Sequence, residues 1–282
     1  WNPVAAPANA RRKISPLARK LAVGAGLDPE AIQGTGEGGV VTRQDVETAI
    51  AARAAGPAHT PPATEPVRLA IAAAMSRSAR EIPAYYLQSH IDMQMPLGWL
   101  ARTNAACKPA ERLLPAVLYI RAAALALQKC PELNAEWKDG LIPKKDIHIG
   151  FVVTLRQGGI MVPAIHHADR RSPAELMAAL TDVVLRIRAG KMRSSDLSDS
   201  TFTLTCPGEG GTDAIFGLIY PPQTALLGIG RVADRVIAEN GTPVVRPCIT
   251  ATLAADHRAS DGLSGGRFLA LFEEYLQNPP LP

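Results

Sequence analysis

The sequence predicts an α/β fold. A two-layer sandwich is expected over residues 67–282, preceded by a small helical domain over residues 11–50. Three observations carry this expectation. Short apolar runs bounded by Gly and Pro alternate with stretches of helical period, the pattern of helices on one side of a mixed, largely antiparallel sheet. No dinucleotide fingerprint follows any predicted strand, and no repeat with a period of about 20 to 50 residues is evident. Two Ala/Pro-rich stretches, 1–10 and 51–66, read as linkers that set the two domains apart.

In the first domain, Ser15 followed by Pro16 is a helix start: a capping hydroxyl, then a preset backbone angle. Leu17, Leu21 and Ala22 are expected to form its apolar face, and Gly24 and Gly26 to end it. Asp28 to Ile32 adds one more turn, and GTGEGG (Gly34 to Gly39) makes a tight loop. Thr42 caps a second helix, with Asp45 three residues on as an approximate capping box; Val46 and Ile50 point inward. The loop is not a phosphate cradle, because no strand precedes it and no Gly-Lys-Ser/Thr ending follows. So small a domain buries little surface. Its use is binding, with almost no room for a catalytic cleft. Six basic residues (Arg11, Arg12, Lys13, Arg19, Lys20, Arg43) stand against five acidic ones (Asp28, Glu30, Glu37, Asp45, Glu47). The basic front is thus a local patch suited to an acidic protein surface. The tether over 51–66 would reach on the order of 50 Å in polyproline form.

In the large domain, Val67 to Ser78 is an amphipathic helix, through Val67, Ile71 and Met75. Ala84 to Met93 alternates as a strand, and Leu113 to Lys129 is a long alanine-rich helix ended by Pro131. Asn134 to Trp137 begins a hairpin that turns at Lys138-Asp139-Gly140. Ile147 to Leu155 reads as one strongly apolar strand, and Ile160 to Ile165 as the next. Ser172 caps a helix from Pro173 to Ala189. Strands follow at Thr201 to Cys206, Thr224 to Val232 and Pro243 to Ala255, and a last helix runs from Leu263 to Leu276.

Composition excludes some classes. A hydrophobic content of 47% supports a sizeable core, made mostly of Ala, Leu, Ile and Val because aromatics are only 5%. A net charge of +4 is too mild to argue for nucleic acid. No apolar window of about 18 residues points to a membrane span, and the first residues lack the pattern of a signal peptide. The four cysteines (Cys107, Cys130, Cys206, Cys248) are scattered with no CxxC pair, which predicts reduced thiols in a cytosolic protein and no metal site.

The stretch that concentrates chemistry is TATLAADHRASDGLSGGRFLALF, Thr250 to Phe272. His257 falls where a strand hands over to a helix, so rigid elements can hold it. Asp261 follows four residues on, then Gly262, read as allowing a tight turn. An imidazole with a nearby carboxylate is the minimum kit for an oriented general base. Asp256 and Arg258 read as a structural pair.

The order of a glycine-loop module, an Ala/Pro tether and a sandwich ending in DHRASDG resembles the acyltransferase core subunit of 2-oxo acid dehydrogenase complexes. SPLARKLA, GLDPEAIQGTGEGG and TRQDV resemble its peripheral subunit-binding domain. VRLAIAAAM, PELNAEW, IHIGFVV, GGIMVPAI, STFTLT, YPPQTALLGIG and ADHRASDG resemble its catalytic domain, in order. The resemblance implies a fold like chloramphenicol acetyltransferase. It implies a homotrimer that often assembles further into a shell, with active sites in channels between subunits. Coenzyme A enters from one end and the acylated lipoyl group from the other, and an acyl group, acetyl in the commonest case, passes between them. Carried over by residue, His257 matches the general base, Thr205 in FTLT a hydroxyl donor to the oxyanion, and Asp261 the supporting acidic or amide position. Arg68 matches a basic position near the coenzyme A entrance. The basic patch, Arg12, Lys13, Arg19 and Lys20, matches the face that holds the 2-oxo acid decarboxylase or dihydrolipoamide dehydrogenase. The resemblance places the protein in the cytoplasm, or in the mitochondrial matrix of a eukaryote.

Some positions depart from the family pattern. No Asp-Lys-Ala hairpin tip is present to carry lipoate, so the acyl group is expected on a lipoyl domain that is separate or removed. Val40 and Val23 stand where basic residues are common in the docking module, which weakens contact with an acidic partner. Cys206 and Pro207 replace an Asn-Leu-Gly type run and are expected to reshape the acyl pocket.

Overall fold

The computed structural model describes residues 13–54, 65–155, 159–208 and 210–279. The chain forms two compact units, parted between Glu65 and Pro66, and each is described by itself.

In the first unit, α1 (Pro16–Gly24) starts under Ser15, whose hydroxyl accepts from the Ala18 amide. α2 (Arg43–Ala54) follows the glycine loop. The Thr42 hydroxyl takes the Asp45 amide (3.4 Å) while the Asp45 carboxylate takes the Thr42 amide (2.8 Å), a reciprocal box at the start of α2. Asp45 also reaches back to the Thr35 hydroxyl and amide, so one side chain ties loop to helix. The core is Ala18, Ala22, Ile32, Val41 and Val46. The apolar face of α1 is therefore set by Ala18 and Ala22. Leu17, expected inside, is 58% exposed. Small side chains let α1 approach α2 closely, and Leu17 lies one residue around the helix from that seam. Residues 51–54, expected in the tether, continue α2, in keeping with the helix propensity of alanine. Residues 55–64 of the tether and Arg12 lie outside the described residues.

The second unit carries α3 (Glu65–Glu81), β1 (Ala84–Asp92), α4 (Gln94–Ala105), α5 (Pro115–Leu127), β2 (Ala135–Trp137) and β3 (Leu141–Pro143). Next come β4 (Ile149–Phe151), β5 (Val153–Thr154), β6 (Ile160–Met161), β7 (Ala164–Ile165), α6 (Pro173–Arg188) and α7 (Ser194–Ser198). The chain ends with β8 (Phe202–Thr205), β9 (Ala225–Ile229), β10 (Ala233–Glu239), β11 (Thr242–Asp256) and α8 (Gly262–Gln277). The main sheet has seven strands in the order β1-β11-β9-β8-β4-β7, with β10 also on β11. β4, β8 and β9 run parallel; the other pairings are antiparallel. This is the expected mixed sheet.

α5 and α8 cover one face. Ile249, Ala251, Leu253 and Ala255 of β11 share a core with Phe268 and Phe272 of α8 and with Val117, Ile120 and Ala124 of α5. Burying an aliphatic or aromatic side chain of this kind contributes about 1.5–3 kcal/mol. A Cβ at Gly228 of β9 would run into the Ile215 carbonyl oxygen, and one at Gly230, just past the end of the strand, would run into that of Asp213. The 212–219 segment thus lies tight against the sheet, with the Thr252 hydroxyl of β11 bonded to the Ile215 carbonyl. The apolar run 147–155 is not one strand. β4 stays in the sheet, and beyond Val152 the chain leaves to pair β5 with β6.

Candidate active site

β11 is the longest strand, fifteen residues, and it delivers the DHRASDG corner. Its last residue, Asp256, is fully buried. The Asp256 carboxylate accepts the Arg258 guanidinium through both oxygens, Nε–Oδ1 2.9 Å and Nη2–Oδ2 2.7 Å, and takes the Arg258 amide at 3.0 Å. Arg258 lies 4.9 Å over the Trp137 ring. The Asp256 carbonyl receives the amides of Ala259 and Ser260, both at 3.0 Å, closing the turn. As read from sequence, Asp256 and Arg258 are a structural pair.

His257 stands exposed on this pinned corner. Its amide donates to the Pro83 carbonyl at 3.0 Å, and the Tyr85 ring meets its imidazole edge-on, centroids 5.0 Å apart. The Tyr85 hydroxyl donates to the Asp261 carbonyl (2.6 Å) and lies 2.9 Å from the Ser260 hydroxyl. Tyr85 therefore braces both the ring and the turn that carries it. Sequence reasoning missed Tyr85, because nothing local marks a contact between residues this far apart in the chain.

Asp261 plays a different part from the orienting carboxylate the spacing suggested. Its Oδ1 accepts the Leu263 amide (3.0 Å) and the Ser264 amide (2.9 Å), so it is the N-cap of α8. Those amides, Ser264 first, hold its carboxyl below the usual carboxylate range. Gly262, taken as the residue permitting a tight turn, has no positive φ and open space where a side chain would stand. The glycine that matters is Gly265, where a Cβ would come within 2.8 Å of both the Leu87 Cδ1 and the Tyr85 hydroxyl.

Thr205 closes β8, half-buried, and among the described residues no partner engages its hydroxyl. It pairs in register with Gly228, which pairs with Thr252. His257 lies five positions beyond Thr252 and two strands across. At about 3.3 Å per residue and 4.8 Å per strand, the two residues are about 20 Å apart. One copy of the chain therefore does not bring its own Thr205 to its own His257.

Beside the corner lies a polar cleft of about 270 Å³, lined among others by Arg77, Trp137, Lys138, Pro221, Gln223 and Arg258. Arg68 is exposed near the start of α3 and is not among the lining residues. Arg77, two and a half turns further along the same helix, is the basic residue of α3 that reaches this cleft. In the first unit Lys13, Arg19 and Lys20 are exposed, and none forms an ion pair among the described residues. The four cysteines are free thiols. Burial pushes the Cys206 thiol, next to Thr205, upward. No described helix is long and apolar enough to cross a membrane.

Two family models match the chain. The catalytic domain of 2-oxoacid dehydrogenases acyltransferase covers residues 57–281, and an E3 binding domain covers residues 12–47. The acetyltransferase component of the acetoin cleaving system of Bacillus subtilis is 36% identical, over 95% of this chain and 70% of that protein. The acetyltransferase component of the pyruvate dehydrogenase complex of Rhizobium meliloti is 31% identical, over 94% and 67%. Relatives named for branched-chain acyl groups and for succinyl transfer match at 30% and 31%. The solved structure of a probable dihydrolipoamide acetyltransferase from Listeria monocytogenes superimposes with a TM-score of 0.71 at 29% identity, over 79% of this chain and 96% of that one. With four-fifths of its length under one family model, the chain belongs to the 2-oxoacid dehydrogenase acyltransferases and carries an E3 binding domain ahead of the catalytic domain.

Proposed function

We propose that this protein moves an acyl group, acetyl first among the candidates, between dihydrolipoamide and coenzyme A in a 2-oxo acid dehydrogenase complex. His257 is the general base, Thr205 the oxyanion donor and Asp261 the cap that fixes the turn. The observation that carries the reading is the corner itself: an exposed imidazole, open to an incoming thiol, on backbone pinned at Pro83, Asp256 and Asp261. Acetyl is favoured because the relative at 36% identity is an acetyltransferase.

A free thiol titrates near pKa 8.5, so little of it is thiolate at neutral pH. The neutral imidazole of His257 takes the proton from the coenzyme A thiol as sulfur attacks the thioester carbonyl of the acylated dihydrolipoamide. The oxygen that becomes negative accepts a hydrogen bond from the Thr205 hydroxyl of a second copy, worth about 2.7–4 kcal/mol for one donor. Collapse breaks the old carbon–sulfur bond, and the imidazolium returns its proton to the leaving dihydrolipoamide sulfur. The chain's own Thr205 is too far away for this step, so the site lies between copies, as expected of a trimer. The first unit docks the decarboxylase or dihydrolipoamide dehydrogenase through Lys13, Arg19 and Lys20, together with Arg12. The lipoyl group arrives on a lipoyl domain, and the free thiols fit the reducing interior of a cell.

The test is turnover with dihydrolipoamide and acetyl-, succinyl- and isobutyryl-CoA. Acetyl-CoA is expected to be the best donor. His257→Ala is expected to lower the chemical step by about 10²–10⁴-fold with assembly intact. Near-normal turnover in that variant refutes the role of His257, and preference for succinyl-CoA refutes the acyl assignment.

A further inference from the structure

β7 ends the sheet with only two residues, Ile165 opposite Ile149 and Ala164 opposite Gly150. So short a strand holds its place with help from the turn that leaves it. Two successive amides of that turn reach the segment entering β4. The Ala168 amide donates to the Ile147 carbonyl at 3.0 Å, and the His167 amide donates to Nδ1 of His148 at 3.1 Å. His167 itself has φ 50 and ψ 48, a left-handed backbone that a histidine keeps only while its surroundings impose it.

The bond to His148 carries a condition on charge. A ring nitrogen accepts only through its lone pair, so His148 must be neutral, with its one proton on Nε2. A second proton, taken up from solvent, fills the lone pair of Nδ1 and turns the acceptor into a donor aimed at the amide. The surroundings decide how readily that proton arrives. His148 is half-buried, and its ring meets two others edge-on, 4.9 Å from His166 and 4.7 Å from His167 between centroids. Each flanking imidazole has a carboxylate beside it: Asp199 Oδ2 is 3.2 Å from His166 Nε2, and Asp146 Oδ1 is 3.4 Å from His167 Nδ1. Asp146 is also held by the Arg170 guanidinium at 2.9 Å. Lys144, Lys145 and Glu136 border the same cleft, with Glu136 bound to Lys144 at 2.8 Å. Burial is the largest influence and pushes the His148 pKa below its ordinary value. A backbone bond at Ile147 opposes it, His166 and His167 add to it, and Asp146 opposes it weakly.

We propose that His148 is a proton-operated latch on the β7 edge of the sheet. Neutral, it accepts the His167 amide and holds the turn over residues 166–171 against the entry to β4. Protonated, it lets that amide go, and the left-handed backbone at His167 is free to relax. The latch needs nothing from the His257 corner, because β7 lies four strands away from β11. The direction is fixed by proton uptake. In the released turn His148 titrates near its ordinary value of about 6.5; in the latched turn it titrates lower. Latching is therefore full above about pH 6.5. It weakens as pH falls through the interval between the two values, by at most about tenfold per pH unit for one proton, and levels off below the lower one.

Hydrogen exchange of the whole 282-residue chain, read by mass spectrometry with fragmentation that resolves the His167 amide, measures the latch. Protection of that amide, taken relative to its intrinsic exchange rate at each pH, is expected to fall about three- to tenfold between about pH 7.5 and about pH 5.5. His148→Asn offers a carbonyl oxygen close to the position of Nδ1, an acceptor that does not titrate. Its protection at neutral pH is expected to stay near the native level and its acid loss to disappear. His148→Ala has no acceptor, and its protection is expected to be low at both pH values. Circular dichroism checks the fold of each variant. Should His148→Asn not fold, exchange at the imidazole C2 carbon in the native chain gives the titration midpoint of His148, which must fall where the protection is lost. Protection that stays flat in the native chain, an acid loss retained by His148→Asn, native-like protection in His148→Ala, or a loss whose midpoint differs from that of His148 each overturns the proposal.

Discussion

Asp261 and Arg258 flank His257 and hold it by different means, and substitution separates them. Asp261 acts as an N-cap through Oδ1, a role asparagine fills about as well as aspartate. Asp261→Asn should therefore melt with the native chain, while Asp261→Ala should melt about 2–4 °C lower, as differential scanning calorimetry would record. Equal losses in both variants would mean that the charge, rather than the cap, is what matters. Arg258 neutralises a carboxylate that is fully buried, while remaining about one-third exposed itself. Arg258→Ala leaves Asp256 unpaired and should cost about 3 kcal/mol, the low end for breaking a buried pair, read from denaturant midpoints. The corner was legible in the sequence because its parts fall within one short stretch. The bracing by Tyr85 was not, because it depends on the register of β1 against β11. Nor was the spending of the Asp261 carboxylate on α8, since a His-x-x-x-Asp spacing serves a base and a helix cap alike.

Among the elements, those with a clean period were readable and those without were not. β1, α5, β9, β11 and α8 have strong apolar patterns and lie within a few residues of where the sequence places them. α4 was missed because it buries only Pro96 and Leu100, too few for a stripe. β10 was missed because its ribbon with β11 leaves Val236 and Val245 facing solvent, 70% and 64% exposed, so its alternation of half-buried and exposed positions is not matched by an alternation of apolar and polar residues. The loop-to-α2 junction of the first unit makes an acid-sensitive element. The Thr35 hydroxyl first, then the Thr42 and Thr35 amides, hold the Asp45 carboxyl well below its ordinary range. The folded form thus gives up its proton more readily than the unfolded chain does. The stability this provides is full above the unfolded value of about 3.9 and is lost as pH falls through the folded value. Hydrogen-exchange protection across residues 13–54, taken relative to the intrinsic exchange rate at each pH, should fall as the solution is acidified below about pH 4. In Asp45→Asn, exchange should be faster at neutral pH and should respond less to acid. An unchanged acid response in that variant would assign the sensitivity to other groups.

At the scale of the whole molecule, the sheet separates the two groups that the proposed chemistry needs together. His257 directly follows β11 and Thr205 ends β8, about 20 Å apart by strand spacing. The sequence could identify both residues but not this separation, because it follows from β8 running parallel to β9 and β9 antiparallel to β11. A closed ring of copies resolves it when each copy offers its imidazole to one neighbour and its hydroxyl to the other. Complementation tests this arrangement. Thr205→Ala is expected to lose about 10²–10³-fold in turnover, and His257→Ala comparably or more, each as a homogeneous assembly. Unfolding an equal mixture of the two and refolding it together distributes the chains at random around the ring. A site is then intact when its imidazole comes from a Thr205→Ala chain and its hydroxyl from a His257→Ala chain, which happens at about one interface in four in a cyclic assembly. Turnover should therefore return to about a quarter of the native rate. If both groups came from the same chain, no combination of these variants could restore an intact site, and the mixture would stay at the average of its inactive parents.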